Sequence, residues 1–181
     1  MSSQSRDFVE TFKGLAEPIL SRHPQLQFTW ENNPKNDAYT LRILKTSETG
    51  FDVGVEVQTY GLYVFAGDWH GAPWDINTPN TSVIAMCRSA LGYLRALLCN
   101  DTRLRVRSAG GRAFKWFLEV ATPNGWAVSE EMGLLCFRLF STRSEQTFQN
   151  EQLPPLGFTL GTVTLGTVTL EAFNDLWADR D

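Results

Sequence analysis

The sequence predicts an α+β fold, with antiparallel meander sheets around one long central helix, in the order α-ββββ-α-ββββ-α and as a single layered domain. Three observations carry this expectation. Apolar and polar residues alternate in two groups of short runs, the period of half-buried strands. Between the groups, one long stretch keeps the helical period. The strand runs are joined by short turns, whereas parallel pairing needs long crossovers. Composition agrees: in 181 residues, 43% are hydrophobic, and twelve Phe and six Trp supply enough apolar surface to offset chain entropy. The net charge of −4 argues against a non-specific nucleic-acid binder, which would carry a basic excess.

The elements follow in order. Phe8, Val9, Phe12, Leu15, Ala16, Ile19 and Leu20 fall on one helical face. Gly14 and Pro18 weaken that helix and predict a kink or an early end. Leu26, Phe28 and Trp30 alternate with polar neighbours, and residues 32–37 then form a turn. Tyr39, Leu41 and Ile43 repeat the alternation, as do Val53, Val55 and Val57 after a second turn. Tyr60-Gly61 reverses the chain into a strand over residues 62–66. A loop is expected over 67–78. Thr78 as N-cap and Pro79 at N1 open the long helix. Val83, Ile84, Cys87, Leu91, Leu94 and Leu98 form its buried stripe.

The second strand group begins with Leu104 and Val106 between arginines, followed by a turn at Gly110-Gly111 and a strand over 114–121. Pro123-Asn124-Gly125 signals a hairpin into a short strand over 126–129. A longer strand is expected over 134–140. Polar residues 141–155 read as an extended connector. Thereafter Gly161-Thr162-Val163-Thr164-Leu165 is repeated as Gly166-Thr167-Val168-Thr169-Leu170, too few copies for a solenoid. Leu170, Phe173, Leu176 and Trp177 suit a short amphipathic helix. The expected organisation is one α+β domain over 1–155. It has helix-meander halves at 1–78 and 79–140, with a strand-and-helix tail over 156–181 packed on it.

Chemistry-bearing motifs are scarce. Glycine-rich phosphate loops, the H-E-x-x-H and C-x-x-C pairs and the G-x-S-x-G elbow do not occur. Two histidines, His23 and His70, rule out a three-histidine metal site within one chain. Cys87, Cys99 and Cys136 are odd in number and fit no zinc spacing, so buried thiols, no metal and no cofactor are expected. The polar start of the chain has no apolar leader, and no run is long enough to span a bilayer. A cytoplasmic protein without a membrane partner is expected.

Two segments qualify as binding surfaces. In residues 67–75, Asp68, Trp69, His70, Trp74 and Asp75 combine contact area with hydrogen-bonding groups. The same residues could instead plug the end of the core. The N-terminus of the following helix would suit a small anion there. Arg103, Arg105 and Arg107 share one strand face, which suits an anion or acidic partner, or else the solvated, edge-guarding face of a sheet.

The helix-meander-helix-meander order resembles that of small bacterial α+β accessory proteins such as secretion chaperones and toxin-immunity proteins, in element order and not in any motif. The leading expectation is an accessory or protein-binding domain without catalytic activity, whose partner is another protein or a second copy of the chain. The alternative is a small-molecule or anion site, with or without enzymatic activity, at the 67–75 segment.

Overall fold

In the computed structural model, residues 3–33, 38–58, 60–75, 81–134, 142–155 and Trp177 are described, with the side chains of residues 3–7 and 72–75 left aside. The chain runs α1 (Ser3–Leu20), β1 (Phe28–Asn33), β2 (Ala38–Ile43), β3 (Val53–Gln58), β4 (Gly61–Ala66), β5 (Trp69–Asp75) and α2 (Val83–Leu97). It continues with β6 (Thr102–Ala109), β7 (Arg112–Thr122), β8 (Gly125–Gly133) and β9 (Arg143–Gln149). Antiparallel sheets and two helices among the described residues make this an α+β fold.

The first sheet is a five-stranded meander, β1-β2-β3-β4-β5. Its alternation sorts the faces. Leu41, Ile43, Val53, Val55, Val57, Leu62 and Val64 are all buried, in one apolar cluster with residues of α1 and α2. Thr40, Arg42, Glu56, Tyr63, Phe65 and His70 take the opposite face by register. Pro18 does not end α1 early, since the core holds Ile19 and Leu20 at its last turn. On α2 the N-cap is Ser82 and not Thr78: the Ser82 hydroxyl accepts from Ala85 N at 3.2 Å. Thr78 and Pro79 lie outside the described residues. The shorter helix leaves Ile84 in its first turn 47% exposed, against the expected burial, while Cys87, Leu91, Leu94 and Leu98 are buried as expected.

Two segments depart from the sequence expectation. The stretch expected as a loop, 67–78, holds a fifth strand, β5, which pairs with β4 along the sheet edge. Among the described residues of that stretch, only Gly67-Asp68 turns, with Gly67 at φ +57°. The polar stretch read as a connector holds β9, paired with β6. The second sheet therefore has order β8-β7-β6-β9, a Greek key and not a meander. Of the strand expected over 134–140, Leu134 follows the end of β8, and 135–140 lie outside the described residues, as do Cys136, the repeat and the tail helix apart from Trp177.

The two sheets share one apolar cluster with both helices, which Leu153 and Trp177 also join. The end of β9 and the segment after it are tied down on both sides: Gln149 N donates to Thr49 O at 2.8 Å, and Leu153 N donates to Leu98 O at 3.1 Å.

Candidate functional site

The β4–β5 turn places part of the first candidate segment in the core and part at the surface. Trp69 is 1% exposed and stacks on Tyr93 of α2, with ring centroids 6.4 Å apart and planes 4° from parallel. Its ring lies across Gly71, where any Cβ would overlap it. Trp69 is thus the core plug of the two readings. Asp68 and His70 are exposed, on the turn and on the outer sheet face. Trp74 and Asp75 complete the backbone of β5 opposite Leu62 and Gly61, and their side chains are outside the described ones.

A groove of about 560 Å³ opens on that outer face, lined by Glu31, Arg42, Glu56, Phe65, Asp68 and His70 among others. Gly54 lets the Phe65 ring lie flat on the sheet, because a Cβ there would collide with that ring. The Arg42 guanidinium sits 5.1 Å above it. Arg42 pairs with Glu31 at 3.3 Å and with Asp52 at 3.6 Å. His70 Nδ1 lies 3.0 Å from the Asp68 carbonyl oxygen. A carbonyl only accepts, so in this contact Nδ1 is the donor. Three carboxylates against one guanidinium give the groove an acidic bias, which suits a cationic group better than the small anion expected there. A second open cleft, about 580 Å³, shares Arg42, Gly67 and Asp68 and runs between the sheets over Leu104, Val106 and Trp116. Sequence reading missed Glu31, Arg42, Glu56 and Phe65 as groove residues, although their shared face follows from strand alternation once the register is known.

The arginine row forms as expected on the outer face of the second sheet, and it is internally paired. Arg103 and Arg105 grip the two oxygens of Glu119 at 2.7 and 2.6 Å. Arg105 and Arg107 share one oxygen of Glu145 at 3.1 and 2.8 Å. Hydrogen bonds from Arg107 and Arg105 hold the Glu145 carboxyl below the usual carboxylate value, and bonding to Glu119 raises Arg105 above its ordinary one. Aromatic rings fill the gaps: Arg105 lies 4.1 Å over Phe117 and Arg103 lies 4.3 Å over Trp126. Trp126 and Val128 on edge strand β8 stay 36% and 49% exposed.

Between the sheets, Tyr93 donates to Glu130 at 2.5 Å, and burial, with the Glu130 charge adding to it, pushes the phenol far above its normal range. Among the described residues, no cluster of three His, Cys, Asp or Glu could hold a metal, and no helix is long and apolar enough to cross a membrane. No protein-family model matches the chain, and no curated protein or solved structure is significantly similar to it.

Proposed function

We propose that this chain is a non-catalytic, cytoplasmic accessory domain that binds another protein through the outer face of its second sheet. The observation that supports this reading is the arginine-aromatic lattice there, with Trp126 and Val128 exposed beside it. Trp and Arg dominate the binding energy of protein interfaces. Here Glu119 and Glu145 already fix the arginines, so less side-chain freedom is lost when a partner docks. A pull-down comparing the wild-type chain with Trp126→Ala/Arg107→Glu tests it. The expected result is a discrete partner lost with the variant at a temperature where circular dichroism shows both proteins folded. Equal capture by both proteins overturns the reading.

The groove at Asp68 and His70 supports a second reading, a site for a small molecule. Its acidic lining and aromatic floor favour an organic cation. Binding of such a cation, lost in Asp68→Asn, is its test.

A further inference from the structure

Resting on the protein-binding reading and naming its partner, we infer that the outer face of the second sheet docks on the outer face of the first sheet of another copy, so that copies associate head to tail. The two faces carry opposite charge within a chain whose total is only −4. On the second sheet, the register adds Lys115, Arg112 and Arg143 to the three ladder arginines, against Glu119, Glu131 and Glu145. That is an excess of three positive charges. Arg112 and Arg143 are exposed and carry no ion pair among the described residues. The first-sheet groove holds Glu31, Glu56 and Asp68 against Arg42, an excess of two negative charges.

Apolar groups accompany the charges on both faces. Trp126 and Val128 are exposed on one, and Tyr60, 52% exposed, meets Tyr63 edge-on beside Glu56 on the other. An interface of exposed charge alone would be much weakened at physiological salt, where the Debye length is about 8 Å. The aromatics supply the part that salt does not remove. Because the two surfaces are different, the contact is heterologous: each copy added leaves one basic and one acidic face free for the next.

Sedimentation velocity on the full chain tests this, over a concentration series at low and at high salt. The expected result is a mass that rises past the dimer with concentration, and an apparent Kd weakened about tenfold or more between roughly 0.02 and 0.3 M salt. Arg107→Glu/Arg143→Glu on one face and Glu31→Lys/Asp68→Lys on the other should each stay monomeric alone. Mixed one to one, they should form a complex, since one then has two acidic faces and the other two basic ones. Should either double variant fail to fold, Arg143→Glu and Asp68→Lys alone should each weaken association by about threefold or more, because both side chains are exposed. A monomeric wild-type chain at low salt overturns the inference, as does a mass that stops at the dimer or self-association untouched by both face variants. The protein-binding reading fails separately, if a captured foreign partner is indifferent to the Trp126→Ala/Arg107→Glu change.

Discussion

Asn150 fastens three backbone groups from distant parts of the chain. Its Oδ1 accepts from Phe51 N at 3.1 Å, while Nδ2 donates to Phe51 O at 3.0 Å and to Leu97 O at 3.1 Å. The side chain is buried, so truncation strands polar groups away from water. Asn150→Ala should lose about 2–4 kcal/mol in urea unfolding, and a loss under about 0.5 kcal/mol would show that water replaces the amide. Trp69 follows the packing rule: Trp69→Ala should cost about 3–5 kcal/mol, because the hole left beside Tyr93 and Gly71 cannot close on a backbone already in place. The thiols follow burial as well. Burial pushes Cys87 up to about 12 and Cys99 up to about 11, with the Arg95 charge lowering the latter only in part. At pH 8 the Cys87 thiolate is then on the order of one part in ten thousand, and thiol titration of the native chain should find both cysteines slow and denaturant should release them. Rapid native labelling of either one would place it outside the core.

At the scale of elements, strands with an apolar period were readable, and the two edge strands without one, β5 and β9, were not. Val53, Val55 and Val57 announce β3 because every second residue enters the core. In β5, Gly71 and Pro73 imitate a loop; Gly71 is there to admit the Trp69 ring, and an edge strand tolerates a proline that cannot donate. Strand β9 has no apolar period, since most of its side chains are exposed and β6 holds its backbone. That pairing and the shared Glu145 link the two strands, which makes β9 pH-sensitive. Glu145 titrates below the ordinary carboxylate range, so its contribution is complete above that range and is lost as pH falls through its lowered value. The wild-type melting temperature should therefore drop more steeply on acidification below about pH 4.5 than that of Glu145→Gln, and high salt should narrow the gap. Parallel acid profiles for the two proteins would remove Glu145 from the account of β9.

For the whole molecule, the sequence made the two strand groups and the central helix legible, but not what joins them. The joints are side chains and single backbone bonds with no period to read. Glu130 on β8 reaches Tyr93 on α2, Trp69 of the first sheet stacks on that same Tyr93, and residues 149–153 bind both the 44–51 turn region and the end of α2. The arginine row, by contrast, was legible as a face because alternation alone defines it. These joints, with an apolar cluster that runs through both sheets, tie the stability of each half to the other. Unfolding is then expected in one cooperative step. In a variant retaining Trp69 as sole reporter and in one retaining Trp116, the remaining tryptophans replaced by Phe, each fluorescence urea curve should coincide with the far-UV circular dichroism curve of that same variant. Tyr93→Phe should shift all the curves together, since it removes one bond on which both halves depend. If either fluorescence curve separates from the circular dichroism curve of its own variant, the halves are independent folding units, and the contacts through Tyr93 and the 149–153 segment are too weak to couple them.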